Sequence, residues 1–274
     1  MVARERVNGQ VATTVSVRDR GLLYGDGLFE TVRVVAGVAP LWSRHMARLT
    51  EGCARLGLPA PDTTTLAAEL QAVTDGLSAA VVRITLSRGE GARGYAPPAD
   101  VQPTRVVTAY PMPALDPRLT SDGVRVRICD LRLAEQPRLA GIKHLNRLEQ
   151  VLARAEWNDP EIAEGLLLDA AGRVVCATMA NLFAVIDGTL VTPALERCGV
   201  AGVARAEVLA TRPGAQVRDV RLDELLAASE LFLTSSVRGI LPVQAVGDKV
   251  FHPGPVTRAL QQHWRTLGFS LEQA

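Results

Sequence analysis

LAGIKHLNRLEQVL, residues 139–152, is the stretch on which the reading of this chain turns, because Lys143 stands in it. Lys143 and Lys249 are the only lysines among 30 basic residues, and every other one is arginine. A guanidinium keeps its proton in any protein environment, whereas a lysine amine is deprotonated by burial and condenses with a carbonyl. Position 143 therefore asks for a chemical reason. The bland alternative is a surface lysine without chemistry, and composition alone leaves the two readings level.

Composition bounds the rest. At 274 residues the chain has room for one large or two modest domains and a substantial core. Apolar residues make up 47% and charged residues 22%, a globular composition with no low-complexity tract. The net charge is +1 and the arginines are interspersed with acids, so no nucleic-acid partner is expected. Cys53, Cys129, Cys176 and Cys198 lie far apart with no CxxC and no nearby histidine pair. That pattern predicts free buried thiols in a reducing compartment and no metal. The opening MVARERVNGQ lacks the apolar core of a signal peptide, and no apolar run reaches the length of a membrane span. A cytoplasmic protein without a membrane partner is expected.

Along the chain, Asn8-Gly9 predicts a tight hairpin turn, and Ala36-Gly37 a second one between LFETVRVV and VAPLW. Met46, Leu49, Cys53 and Leu56 recur at helical spacing, which predicts a helix capped by Ser43 and closed by Gly57. A helix near 63–75 and the β-rich runs AAVVRITLS and TRVVTAY follow. PMPALDP, residues 111–117, holds three prolines and continues neither element, so the expected organisation is a smaller N-terminal α/β domain over 1–110, a linker over 111–120 and a larger C-terminal domain over 121–274. Strands are predicted at VRVRIC, GLLLDA, GRVVCA, NLFAVID, GTLVTP and ELFLTSS, and helices at 203–211, 222–228 and 255–266. The helix after Lys143 is expected to share Leu145, Leu148, Val151, Leu152 and Ala155 on one face. Hairpin-rich sheets with helices, without regular βαβ alternation, define an α/β fold of the α+β type.

Gly89, Gly91 and Gly94 in RGEGARGY match the dinucleotide pattern GxGxxG, but they run into Tyr95-Ala96-Pro97-Pro98 and not into a helix that would receive a pyrophosphate. The segment reads as a loop whose Arg88 and Arg93 suit a carboxylate. A solvated turn is the equal alternative on local evidence.

VRDRGLLYGDGLFETVRV (17–34), HMARL (45–49), RGEGARGYAPP (88–98), LAGIKHLNRLEQVLARAEW (139–157), EGLLLDAAGRVV with ANLF (to 183) and GVARAEVL (202–209) together resemble the class IV, or fold type IV, pyridoxal-phosphate enzymes, across nearly the whole chain. The resemblance implies a two-domain fold with the cofactor in a cleft between domains, a homodimer, and Lys143 as both the covalent anchor of pyridoxal 5'-phosphate and the catalytic base. It also implies phosphate contacts from Arg48, from the backbone of Val203 and Ala204 and from Ser235-Ser236, with Thr31 near the reacting atoms. Arg93 and Tyr95 would face a small-molecule substrate. Arg33 and Arg88 are unranked candidates for a second carboxylate. Without the resemblance, Arg48 reads as a solvated helix charge, GVAR as an ordinary helix start and Thr31 as a strand residue.

Among the branches, the string after the lysine and the RGY loop look most like lyases that expel enolpyruvate from an amino-dicarboxylate ring. D-amino-acid and branched-chain aminotransferases carry different residues there. One position departs from the pattern: the family places a glutamate five residues before the asparagine of NLF, facing the pyridine nitrogen, and counting back from Asn181 gives Cys176. A thiol offers that nitrogen only a weak hydrogen bond where a carboxylate stabilises a pyridinium. Three readings stay open: a working lyase whose thiol suits elimination, a class IV aminotransferase of D-amino-acid or broad specificity, and a cofactor-binding protein with an impaired site. A thiolate at Cys176 is a further possibility.

Overall fold

The computed structural model describes residues 4–114 and 116–269. The chain forms two compact units. The first takes in the chain up to Ala114 together with Ile142–Asn146, and the second comprises the flanking stretches, up to Gly141 and from Arg147 on. The segment bearing Lys143 thus packs with residues more than a hundred positions earlier.

The first unit contains β1 (Arg4–Val7), α1 (Arg20–Tyr24), β2 (Gly27–Val35), α2 (Trp42–Leu56), α3 (Thr63–Thr74), β3 (Ala79–Ser87) and β4 (Thr104–Pro111). Its four strands form an antiparallel sheet in the order β1-β4-β3-β2. Asn8 and Gly9 carry the positive φ of a two-residue turn, as do Ala36 and Gly37. Beyond the second turn, however, VAPLW makes only the bridge Val35↔Val38, and α2 begins at Trp42 with Leu41 as its uncapped N-terminal neighbour. Ser43 lies inside the helix and does not cap it. Gly57, at φ 62°, ends α2 as expected.

Alternation along β2 sends Leu28, Val32 and Val34 into a core with Met46, Leu49 and Cys53 of α2, Leu66 and Leu70 of α3, and Val82 and Ile84 of β3. Leu49, Leu66 and Ile84 are almost fully buried. Each such side chain contributes about 1.5–3 kcal/mol by leaving water.

The second unit contains α4 (Arg118–Ser121), β5 (Val124–Leu133), α5 (Leu148–Arg154), β6 (Ile162–Asp169), β7 (Val174–Ala177), β8 (Asn181–Ile186), β9 (Thr189–Pro193), α6 (Val203–Thr211), β10 (Gln216–Arg218), α7 (Leu222–Leu226), β11 (Glu230–Ser235), β12 (Gly239–Val246), β13 (Lys249–Val250) and α8 (Pro255–Thr266). Its mixed sheet runs β10-β9-β8-β11-β12-β5-β6-β7, with β13 beside β12. β12, at the centre of this order, gives no turn or alternation signal strong enough to read from sequence. Gly165 on β6 is required by packing, since a Cβ there would lie 2.3 Å from the Cys129 sulfur and 2.9 Å from the Trp157 ring. Of the apolar residues expected on one face of the helix after Lys143, Leu148, Val151 and Leu152 lie in α5 and are exposed.

Candidate active site

In the first unit Lys143 enters through backbone pairing. Phe29 N–H donates to Lys143 O at 3.0 Å and Leu145 N–H to Gly27 O at 3.0 Å, so residues 143–145 extend the edge of the sheet beside β2. Pairing opposite Phe29 puts the Lys143 side chain on that residue's face, and Nζ lies 4.2 Å from the Phe29 ring centroid. Thr31 and Arg33 share this face by alternation, and Arg83 of β3 stands opposite Thr31 in register. The Arg83 guanidinium carbon is 4.0 Å from the same Phe29 ring, so the two cations lie within about 8 Å of each other across one aromatic side chain. Arg83 Nε donates weakly to Thr85 Oγ1 at 3.3 Å, and among the described residues no carboxylate forms an ion pair with its guanidinium. Burial pushes its pKa down.

On the opposite face of β2, Glu30 is 1% exposed and holds a three-residue cluster. Arg48 Nε donates to Oε1 at 2.8 Å, Arg48 Nη2 donates to Oε2, and His45 Nδ1 lies 2.6 Å from Oε2. Burial by itself would raise the Glu30 carboxyl; the charge of Arg48 and the hydrogen bonds of His45 and Arg48 overcome it and hold the group at about 2. Burial lowers the pKa of His45 against the pull of Glu30, and Arg48 and Lys143 add repulsion. The bidentate fork of Arg48, assigned from resemblance to a phosphate, therefore grips a buried carboxylate.

Arg88 does not belong with the substrate residues. Its Nε donates to Asp26 Oδ2 at 2.8 Å, Nη1 to Gly57 O at 2.9 Å and Nη2 to Leu56 O at 2.7 Å, so it caps the C-terminus of α2. Arg33 is almost entirely buried. Arg93 and Tyr95 stand exposed on a loop that, as read from sequence, does not enter a helix. Arg93 lines a hollow of about 680 Å³ with Arg18, Tyr24 and Glu90.

In the second unit Asn181 organises the start of α6. Its Oδ1 accepts Gly202 N–H at 2.9 Å and its Nδ2 donates to Val200 O at 2.9 Å. The helix has no side-chain cap, and Ala206 N–H is the one turned back to Gly202 O, which leaves the N–H groups of Val203 and Ala204 at a positive helix end. Thr234 pairs across strands with Asn181 and so shares its face. Its hydroxyl, on a residue 2% exposed, finds no hydrogen-bond partner among the described residues. Ser235 Oγ accepts from Val237 and Arg238 N–H at 3.2 and 3.3 Å, which fixes the turn through Ser236 and leaves the Ser235 proton to donate.

Cys176 sits on β7 opposite Leu167 and is buried beside Cys198, Cys129 and Trp157. Burial first and Cys198 second push its thiol up to about 12, against the pull of Arg147. The surroundings that the chain supplies thus keep Cys176 neutral, which opposes the thiolate reading. Nearby, Glu164 is sealed among Arg238, Thr178 Oγ1 and Met179 N–H.

Glu30, His45, Arg83, Arg147 and Thr234 escaped sequence reasoning. The Glu of LFET and the His of HMARL flank residues that were singled out, but Arg83 sits in an unremarkable alternating strand. Among the described residues no helix is long and apolar enough to cross a membrane, and no group of three or more His, Cys, Asp or Glu is placed to hold a metal.

With its lysine on a strand edge, its uncapped helix end and its two sheets, the chain belongs to the amino-transferase class IV family, whose model matches residues 27–246. Within that family it is similar to lyases. It is 37% identical to the aminodeoxychorismate lyase of Vibrio harveyi, over 95% of this chain and 99% of the relative. The crystal structure of 4-amino-4-deoxychorismate lyase from Pseudomonas aeruginosa matches with a TM-score of 0.91 and 53% identity, over 96% of this chain and 98% of that one. A putative branched-chain-amino-acid aminotransferase of Methanocaldococcus jannaschii is 33% identical over 92% of this chain and 91% of its own length.

Proposed function

We infer that the chain is a pyridoxal-phosphate-dependent lyase that converts 4-amino-4-deoxychorismate to 4-aminobenzoate and pyruvate. The observation that carries this reading is the pair of cations on Phe29: an amine able to anchor the cofactor, and within about 8 Å a guanidinium with no carboxylate ion pair among the described residues. A dicarboxylate substrate needs such a partner, and Arg83 suits the second carboxylate better than Arg88, whose donors are spent on Asp26 and the end of α2.

The residues fit a phosphate. The uncapped start of α6 at Val203 and Ala204, the unpartnered Thr234 hydroxyl and the Ser235 proton form a donor set for a dianion. Cys176, at the position where the resemblance implies an acid facing the ring nitrogen, would supply a neutral thiol. When bound, pyridoxal phosphate supplies a conjugated ring that accepts electrons from the carbon bearing the substrate amine. With that group bound, Lys143 Nζ would take the proton from C4 of the substrate. Enolpyruvate leaves C3 with the C–O bonding pair and is protonated to pyruvate, while the carbocycle becomes aromatic. Aromatisation provides a driving force that transamination lacks, so a weaker electron sink at Cys176 favours elimination over amino transfer. Thr31, on the face of Phe29 and Lys143, stands near these atoms; Arg93 and Tyr95 receive the first carboxylate.

The active species is a homodimer in this reading, supported by the exposed stripe Leu148, Val151 and Leu152, which a second copy would cover. Four free, buried cysteines suit a reducing cytoplasm.

Incubating cofactor-loaded protein with 4-amino-4-deoxychorismate and measuring 4-aminobenzoate and pyruvate together tests the function. Equimolar products that vanish in Lys143→Ala are expected. Keto-acid formation from an amino donor, without 4-aminobenzoate, would establish the aminotransferase reading instead. Cofactor binding with neither product would mark an impaired site.

A further inference from the structure

The loop that carries Arg93 and Tyr95 is held by a side chain to which the reaction gives no role. Arg20, 3% exposed, turns its guanidinium into the loop backbone. Its Nη1 donates to Gly94 O at 3.0 Å and Ala96 O at 3.3 Å, and its Nη2 to Tyr95 O at 2.9 Å. Three consecutive carbonyls, bracketing the tyrosine, are thus fixed by one residue 74 to 76 positions earlier in the chain.

Arg20 is itself immobilised. Its Nε donates to Asp26 Oδ2 at 2.9 Å, the same oxygen that accepts Arg88 Nε, and Arg88 is locked to the end of α2. The guanidinium lies 4.9 Å from the Tyr24 ring centroid. Tyr24 in turn accepts Gly94 N–H at 3.3 Å and sets its ring 5.4 Å from that of Tyr95. The loop has no regular structure of its own, and Gly94 holds φ 107°, which only glycine adopts freely. Gly91 lets the chain pass close: a Cβ there would fall 2.9 Å from Arg20 Cδ. Tyr95 meanwhile remains 85% exposed, so its side chain gains little from packing and takes its direction from the backbone.

We propose that Arg20 is the positioning residue of the substrate loop, setting affinity for the dicarboxylate by holding Arg93 and Tyr95 in place through the carbonyls of residues 94 to 96. This rests on the reading that Arg93 and Tyr95 face the substrate. Lysine at position 20 keeps the charge but cannot span three carbonyls and Asp26 from one ammonium. Loss of the fork therefore frees the loop without removing any group that touches the reacting atoms.

The test compares Arg20→Lys, Asp26→Asn and Arg93→Ala holoenzymes in kcat and KM for 4-amino-4-deoxychorismate, and wild type, Arg20→Lys and Asp26→Asn in the rate of tryptic cleavage after Arg93. For Arg20→Lys, KM should rise about tenfold with kcat changed by less than about threefold, and cleavage should accelerate, with the absorbance of bound cofactor unaltered. Asp26→Asn should move the same quantities less. Wild-type KM and cleavage in Arg20→Lys, beside a raised KM in Arg93→Ala, would overturn the positioning role alone. An unchanged KM in Arg93→Ala would overturn the substrate reading of the loop and this inference with it. Should Arg20→Lys fail to fold, Gly91→Ala crowds Arg20 from the loop side and must raise KM for the proposal to stand.

Discussion

Replacing Glu30 by glutamine removes a charge from the most buried ionic cluster of the first unit and nothing of its shape. In the folded chain the Glu30 carboxyl is held at about 2, against an ordinary value of 4.5. A folded value below the unfolded one contributes stability that is complete above pH 4.5 and is lost as pH falls through 2. The difference of some 2.5 units corresponds to about 3 kcal/mol at neutral pH, within the range found for removing one partner of a buried ion pair. Glu30→Gln leaves Arg48 and His45 facing a neutral amide, so the variant should lose about this amount at pH 7, or roughly 6–12 °C in melting temperature. Denaturant titrations of wild type and variant at pH 7 and pH 3 read the effect directly. Titration of other carboxylates cancels in the difference, which should shrink from about 3 to about 1 kcal/mol over that interval. A difference below about 1 kcal/mol at pH 7, or one that does not change with pH, would refute the assignment of Glu30 as the charge that organises Arg48 and His45.

Arg83→Met should raise KM for the dicarboxylate at least about tenfold while leaving cofactor absorbance intact, and an unchanged KM would remove Arg83 from the site. Cys176→Glu should slow the lyase and admit keto-acid formation from an amino donor, measured in one coupled assay; a large gain in lyase rate would mean that the thiol impairs the site. Gly202→Ala puts a Cβ 2.1 Å from Asn181 Oδ1, and should cost about 1–3 kcal/mol and weaken binding of pyridoxal phosphate more than that of phosphate-free pyridoxal. Leu152→Glu on the exposed stripe of α5 should shift light-scattering mass toward the monomer, and a mass equal to wild type would exclude that stripe from the interface.

The electrostatic pattern bears on why elimination suits this chain. Arg147 pulls the Cys176 thiol down, while burial, Cys198, Glu164 and Glu149 push it toward the neutral form. In the proposed site a neutral thiol, not a thiolate, would then stand where the resemblance implies an acid. Glu164, the nearby buried acid, is committed to Arg238 and Thr178 and does not substitute for it.

Short-range pattern was enough for most elements. Asn8-Gly9, Gly57, the period-two runs of β3 and β4 and the helical spacing of α2 act over a few residues, and the chain folds there as they dictate. Lys143 stood out from its rarity in the composition. One local signal misled: Ser43 is helical because α2 starts one residue earlier. The roles of the arginines were illegible, because every arginine presents the same fork to any carboxylate or carbonyl. Tertiary structure settles each by bringing partners together from far apart: Glu30 to Arg48 across 18 residues, Leu56 O to Arg88 across 32, and Tyr95 O to Arg20 across 75. Arg83 and Lys143 likewise meet at Phe29 only through strand pairing. Backbone propensity is a property of neighbours in sequence, whereas the partner of a buried charge is a property of neighbours in space.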